Sequence, residues 1–406
     1  MAELLQYPLE GIKVLAVEQY IAGPYCTMLM ADAGAEVIKI ERPGVGDPRR
    51  GMSPMVEDDK GNKVSAGFIE YNRHKKSLTL NMREGKGKEI FKKLAKECDI
   101  LVENFRPGVM DRLGLGYKDL KEVNPGLVYV AISGFGQLEG CRGPYWERPA
   151  FDIVAEAMSG YMHMIGHEDE PPQTSIYGLA DITTALFAYS GAMTALVNRL
   201  RSGKGRYVDI SMYDAMTALN ERATMIYSFT GEVPHRGPET LYGPRGSFKA
   251  KNGYIVLNIP SDYMWERVAK TIGRDDLAKD EGFKDGVSRA ANQEKHFRPV
   301  MEKWLEDKTK EEAVEILLQN GVPAGEVQTA KDIDQCPHLK DRDSLVDVEH
   351  PVTGKKRLVG SPLKFSDTPA PATASISELG QQTEEILSGL GYSKEEIKSL
   401  KEKKVV

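Results

Sequence analysis

A repeated change of period along the first 135 residues constrains this chain more than any other feature. Short β-branched runs alternate with stretches whose apolar residues recur every three or four positions. Ile12–Val17 (IKVLAV) reads as a buried strand. Gly23-Pro24 opens a helix that runs through Met30 and stops at Gly34, because proline suits a first helical turn and glycine an exit. Glu36–Ile40 (EVIKI) is the next strand, and Ser77–Leu80 resembles a third. Over Glu84–Glu97 a helix would carry Ile90, Phe91, Leu94, Ala95 and Cys98 on one stripe. Ile100–Val102 and Leu127–Ile132 extend the series. Such β-α-β alternation needs crossover connections, so the expected fold class is α/β, a mostly parallel sheet with helices on both faces.

The rest of the chain is expected to be more varied. Ala150–Gly160 reads as a helix, and a long one follows from about Asp181 to Leu200, closed by Arg199, Arg201 and Gly203. Tyr207–Met212 is a buried strand and Tyr213–Tyr227 a helix. Gly231–Gly246 is dense in Gly, Pro and His and reads as a linker. A second unit has a strand at Tyr254–Asn258 and helices at Phe297–Leu305 and Lys310–Leu318. Gln335–Gly360 reads as irregular with a turn at Val352-Thr353-Gly354, and Thr368–Ala372 as a Pro/Ala linker. Ser393-x-x-Glu396 matches a helix capping box in the tail. The expected division is 1–230, a linker at 231–246, a small domain at 247–334, a linker at 335–372 and a helical return at 373–406.

Composition removes several function classes. With 406 residues, 41% of them hydrophobic, the chain can bury a large core. A net charge of -6 argues against a nucleic-acid partner, which calls for a basic face. No apolar run approaches the roughly 18 residues of a membrane span, and MAELLQYPLEG lacks the basic-then-apolar order of a signal peptide. The four cysteines, Cys26, Cys98, Cys141 and Cys336, are scattered and form no C-x-x-C. A cytoplasmic multi-domain enzyme without a membrane partner is expected.

Familiar cofactor motifs are missing. No G-x-G-x-x-G follows the first strand, no G-x-x-x-x-G-K-[ST] or G-x-S-x-G occurs, and Gly114-Leu115-Gly116 follows no strand. A nicotinamide oxidoreductase, which the α/β pattern would otherwise fit, is disfavoured. His163 and His167 stand four apart with no third ligand nearby, so no metal is expected. More informative are cations near strand ends: Arg42 after EVIKIE, Arg73, Lys75 and Lys76 in YNRHKKS, Arg106 after DILVENF, and Arg112. Ligands of parallel sheets bind beyond the carboxyl ends of the strands, where Arg42 and Arg106 could hold phosphates; the alternative is solvated surface charge. Asp181 precedes a long apolar helix, where an aspartate would accept backbone N–H bonds as a cap and stay ionised at neutral pH.

Taken together, IAGPYCTMLMADAGAEVIKIERPGVGDPRR, YNRHKKSLTLNM, DILVENFRPGVMDRLGLGY, ISGFGQ, GRYVDISMYDAM, GSPLKFSDTP and TEEILSGLGYSKEEI resemble the class III coenzyme A transferases. That family includes formyl-CoA:oxalate, carnitine and benzylsuccinate CoA-transferases and is related to the α-methylacyl-CoA racemases. The resemblance runs from about residue 8 to the end of the chain. It implies a large Rossmann-like domain made from the N-terminal half and the tail, a smaller α+β domain joined by two long linkers, and two chains threaded into an interlocked dimer, as a homodimer or with a related chain. It implies CoA thioesters as substrates and no permanently bound cofactor.

Site residues carry over where the motifs match. In GLADITTALFAYSG, Asp181 falls at the position of the transferases' catalytic aspartate. Arg42, Lys75, Asn104 and Arg112 fall near the nucleotide or pantetheine of CoA, and Ala22 near the thioester; charge and placement add Arg73 and Arg106 to the CoA-binding set. Two departures stand against formyl-CoA:oxalate exchange. Ile21 replaces a glutamine beside the acyl group, and TLYGPRGSF replaces a glycine-rich loop. Ile21, Phe151 and Tyr242 would line an acyl pocket larger than formyl, with succinyl-CoA as donor. The expected reaction is CoA transfer between carboxylic acids through an aspartyl anhydride and an aspartyl-CoA thioester. The alternatives are a racemase-like enzyme on the same fold, or one subunit of a heteromeric transferase. In the racemases a histidine stands where this chain has Phe151, which cannot carry a proton.

Overall fold

Parallel strands buried on both faces must be apolar at successive positions, and the short runs of the N-terminal half meet that condition. The computed structural model describes residues 6–237, 242–368 and 375–406. In it, β1 (Lys13–Val17), β2 (Glu36–Glu41), β3 (Lys75–Thr79), β4 (Ile100–Glu103), β5 (Val128–Ser133) and β6 (Tyr207–Ser211) form one six-stranded sheet. Every pairing in it is parallel, and the spatial order is β3-β2-β1-β4-β5-β6. The order reverses between β1 and β4, which is the switch point where a doubly wound sheet opens a crevice for a ligand.

Strand alternation distributes the core to the two faces. Leu15 and Val17 of β1 pack with Leu101 of β4 against Ile90, Phe91 and Leu94 of α2 (Gly85–Glu97). Ile386, Leu387, Ile397 and Leu400 of the two C-terminal helices join that face, so the tail completes the sheet that the N-terminus begins. The second of those helices starts with the expected capping box of Ser393 and Glu396. Val14 and Ala16 point the other way, to Cys26 and Met30 of α1 (Ala22–Asp32).

The same face is covered by α4 (Leu179–Ser202), which follows the shorter α3 (Asp152–Met158). Ala185, Ala188, Ala192 and Ala195 of α4 are buried, and their small side chains let the helix lie close to the sheet. By length and composition alone α4 could cross a membrane. Its alanine stripe instead lies in the core of the sheet.

Three local expectations need revision. The stretch read as one helix over 213–227 is two, α5 (Met212–Leu219) and α6 (Glu221–Thr230), which meet at Asn220. Residues 335–360 are not irregular: Leu345–His350 and Gly354–Val359 pair as an antiparallel hairpin around the expected turn. Charged residues on both strands hide the alternation, and only Val348 and His350 are fully buried. A smaller hairpin, Met55–Glu57 with Lys63–Ser65, also escaped the pattern.

Contacts divide the chain into two units. The first comprises Met1–Ile165, Pro172–Pro234 and His338–Val406, and the second Gly166–Pro171 and His235–Pro337. Parts of the two linkers expected at 231–246 and 335–372 lie outside the described residues. The second unit has a small antiparallel sheet, β7 (Arg245–Ala250), β8 (Gly253–Asn258) and β9 (Ala324–Glu326), in the order β9-β8-β7. Phe248, Ile255 and Leu257 pack on Trp265, Phe297 and Leu317 of its helices, so this unit is α+β with its own core.

Candidate active site

Beyond the carboxyl ends of β1 and β4, at the switch point, the first unit holds a cavity of about 860 Å³. The loop after β1 supplies Gln19, Tyr20, Ile21 and Ala22, and the loop after β4 supplies Asn104 and Arg106. Asn104 ties the two loops together. Its Oδ1 accepts from the Gln19 N–H at 2.8 Å, and its Nδ2 donates to the Gln19 carbonyl at 2.7 Å. A side chain at Gly23 could not fit beneath them, since a Cβ there would stand 2.7 Å from Cβ of Glu18 and 3.3 Å from Asn104. Ile21 and Ala22 are buried and face the cavity, whereas Phe151 is 62% exposed at its rim, edge-on to the Tyr20 ring at 6.2 Å.

Asp181 lines this cavity, but it does not cap its helix. The N-cap of α4 is Gly178, in a left-handed conformation, and Asp181 is the third helical residue. Asp152, the first residue of α3, does the capping. Its carboxylate accepts the N–H groups of Gly178 at 3.2 Å, Ala180 at 2.7 Å and Asp181 at 3.1 Å. Among the described residues no donor reaches the Asp181 carboxylate. The expectation that Asp181 caps its helix is therefore corrected, and its ionisation moves up into the neutral range. Burial, helped by the negative charge of Asp152, pushes its carboxyl up to about 7, and Arg49 is the cation that opposes the rise. The result is a poorly solvated carboxylate that lines a cavity and meets no donor among the described residues. Such a group is a far better nucleophile than a hydrated one.

Two of the expected CoA-binding cations are misplaced. Arg73 is 2% exposed and forms a fork with Asp32, Nε to Oδ1 at 2.8 Å and Nη2 to Oδ2 at 2.6 Å, while Nη1 donates to the Val359 carbonyl. Lys75 is equally buried and donates to Glu18 Oε1 at 2.8 Å, to the Pro24 carbonyl at 2.8 Å and to Asn72 Oδ1 at 3.1 Å. Neither has a charge to spare for a phosphate: Lys75 holds the first turn of α1 at Pro24, and Arg73 holds its last residue, Asp32. Arg42, Arg106 and Arg112 are exposed, and of these Arg106 lines the cavity. Tyr242 belongs to the second unit, beside Gly286.

Motif reading did not single out Glu156, Tyr177 and Arg49. Glu156 is buried and holds the cavity wall by accepting the N–H and hydroxyl of Ser175, at 3.1 and 2.9 Å. Tyr177 lines the cavity and its hydroxyl accepts from Arg49 Nη1 at 3.0 Å. The local signal for Arg49 was an Asp two residues earlier, whose Oδ1 accepts the Arg49 N–H at 2.9 Å. That pattern marks a turn and says nothing of a partner 128 residues away.

The family model for CoA-transferase family III matches residues 9–383. The chain belongs to that family. It is an enzyme of class III CoA transfer, with CoA thioesters as substrates. It is 39% identical over 368 residues to the succinyl-CoA:mesaconate CoA-transferase of Haloarcula hispanica, covering 89% of this chain and 91% of that one. It is 34% identical to the succinyl-CoA–D-citramalate CoA-transferase of Chloroflexus aurantiacus, covering 98% of each. The crystal structure of a CAIB/BAIF family protein from Brucella suis superimposes with a TM-score of 0.84 at 31% identity, covering 95% of this chain and 99% of that one.

Proposed function

We propose that this transferase moves CoA from succinyl-CoA, or a similar dicarboxylic acyl-CoA, to a second carboxylic acid, with Asp181 as the covalent relay. A carboxylate oxygen of Asp181 attacks the donor thioester carbonyl. The C–S bond breaks, the sulfur leaves with the electron pair, and a mixed anhydride remains. The CoA thiolate then attacks the Asp181 carbonyl, which releases the donor acid and forms an aspartyl-CoA thioester. The acceptor carboxylate displaces the thiolate to give a second anhydride. Attack of the thiolate on the acceptor's acyl carbon yields the product thioester and restores Asp181. No net proton or electron is needed, and each step replaces one activated acyl group by another.

The observation that carries this reading is the Asp181 carboxylate itself, lining the cavity with no hydrogen bond from the described residues. Two features support it. α1 begins at Ala22 on the cavity wall without a side-chain cap, and the Ala22 N–H suits a developing oxyanion, since Pro24 has no N–H and that of Tyr25 is taken by the Ile21 carbonyl. Exposed Arg42, Arg106 and Arg112 near the carboxyl ends of the strands suit the phosphates of CoA. Among the described residues that line the cavity, the two other acids are already engaged, Asp152 by three backbone N–H groups and Glu156 by Ser175, which stands against racemisation.

The test is a screen of acyl-CoA donors against carboxylic acids, read by mass spectrometry. Succinyl-CoA with a dicarboxylic acceptor should give a new CoA ester. With donor alone, hydroxylamine should trap a hydroxamate at Asp181. Failure to move CoA to any acid, or a hydroxamate on another carboxylate, would sink the reading.

The assembly is proposed as an interlocked dimer. Met225, Tyr227 and Phe229 of α6 are exposed, Phe229 to 85%, in a helix with no buried residue, as expected of a surface covered by a second chain. Light scattering should show dimers that persist on dilution until the protein unfolds. A folded, active monomer would rule out the threaded arrangement.

A further inference from the structure

The sequence Asp47-Pro-Arg-Arg-Gly forms a single 3-10 turn, Pro48–Gly51, and its two arginines part company. Arg50 makes a fork to Glu41, with both N–O distances 2.7 Å, and is neutralised there. Arg49 turns inward and is 4% exposed, yet it has no such partner. Its Nε donates to the Gly67 carbonyl at 3.3 Å and its Nη1 to the Tyr177 hydroxyl at 3.0 Å. The rings of Tyr71 and Tyr177 lie 5.5 Å from the guanidinium carbon. The carboxylate facing it, Glu70, stands 4.0 Å from Nη2 and is itself half exposed. A buried guanidinium held by neutral groups and a loose carboxylate lacks the close anion that burial of a charge normally demands.

The surroundings keep Arg49 in place. Asp47 accepts the N–H groups of both Arg49 and Tyr20, and is paired with buried Lys39 at 2.9 Å. One carboxylate thus aligns the turn that carries Arg49 with the loop that carries Ile21. At Gly67 a Cβ would lie 2.9 Å from the guanidinium, so the chain leaves room for Arg49 to lie flat. Tyr177 connects this charge to the cavity. Because its oxygen accepts from Arg49, its own O–H is left to donate, and the adjacent cation sharpens that donor.

We propose that Arg49, acting with the hydroxyl of Tyr177, anchors the second carboxylate of a dicarboxylic acyl group while the first is activated at Asp181. The inference rests on the transferase reading above and adds to it the residues that choose the acid. In a succinyl group the distal carboxylate lies only two methylenes from the reacting carbonyl, so its anchor must stand close to the nucleophile. Arg49 reaches the cavity through Tyr177, which lines it together with Asp181, and among the described residues it is the cation that opposes the rise of the Asp181 carboxyl. Arg106 and Arg148 also line the cavity, but both are exposed and hydrated, and Arg148 stacks on Tyr145 at 3.8 Å. Hydrated cations discriminate poorly between a carboxylate and a methyl group. A desolvated guanidinium discriminates strongly, because an apolar chain leaves it unpaired.

The experiment compares two donors of equal length, succinyl-CoA and butanoyl-CoA, in the wild type, Arg49→Gln and Tyr177→Phe. Arg49→Gln should lower kcat/KM for succinyl-CoA by about 100-fold or more and that for butanoyl-CoA by less than about 3-fold. Tyr177→Phe should move the ratio the same way by about 10-fold. Equal losses on the two donors would show that Arg49 only supports the fold, and would overturn the assignment. If Arg49→Gln does not fold, Tyr177→Phe decides alone, since that ring is 69% exposed; an unchanged ratio overturns the proposal. Calorimetry with the free acids separates this from the transferase reading. Succinate should bind the wild type about 10-fold or more tightly than it binds Arg49→Gln, and butanoate should bind both alike. A wild type that moves no CoA but shows this contrast would sink the reaction and keep the anchor. Active enzyme with equal succinate affinities would do the reverse.

Discussion

Asp181→Asn is expected to fold, to bind CoA esters, and to turn over more slowly by several orders of magnitude, since an amide cannot form the anhydride. It is also expected to be more stable than the wild type at pH 8. The sign follows from linkage. The folded-state pKa of Asp181 is raised to about 7 from the ordinary carboxyl value of 3.8, so the unfolded chain releases this proton at lower pH than the folded one. Between those values stability falls as pH rises, and above pH 7 the full penalty applies, about 4 kcal/mol at most at about 1.4 kcal/mol per pH unit. Asparagine carries no such penalty. A gain of about 1–3 kcal/mol at pH 8, absent at pH 4, should appear in urea unfolding. A cap residue would behave in the opposite way, with Asp→Ala losing about 0.5–2 kcal/mol and turnover largely kept. In the wild type, kcat/KM should rise with pH through about 7, as the free carboxyl ionises. A folded Asp181→Asn enzyme with near-normal turnover would remove Asp181 from the reaction.

Lys75→Ala should fail in stability rather than in CoA affinity. Lys75 and Glu18 lie within 2.8 Å of each other in the interior, and Lys39 at 3.6 Å is the second cation on that glutamate. Removing one partner of a buried pair commonly costs about 3–5 kcal/mol, and Lys39 offsets only part of this because it is already paired with Asp47 at 2.9 Å. The pair also ties the Pro24 carbonyl at the start of α1, so the loop bearing Ile21 and Ala22 should loosen with it. Arg42→Ala makes the contrast. Its side chain is exposed, so the unfolding midpoint should not move, whereas KM for the CoA ester should rise and its dependence on salt weaken. A Lys75→Ala protein with wild-type stability and lost CoA affinity would return Lys75 to the binding site.

The parts of this protein that were legible in its sequence are local. The β-branched runs of β1, β2, β4 and β5, the stripe of α2 and the capping box at Ser393 each depend on residues within a few positions of one another, so period and end signals suffice to find them. The motif around Asp181 pointed to the residue proposed as nucleophile, and Ile21, Ala22 and Asn104 do line the same cavity. What escaped depends on pairs far apart in the chain. Asp152 displaces Asp181 as the cap from 29 residues away, Glu18 claims Lys75 from 57, and Tyr177 meets Arg49 across 128. A cation before a strand reads the same whether it is solvated or buried, and only the packing of α1 and the sheet decides which. The charge state of Asp181 was misread for that reason. A carboxylate at a helix start is stabilised by the helix dipole, but burial beside Asp152 outweighs it, and burial is a property of the assembled fold.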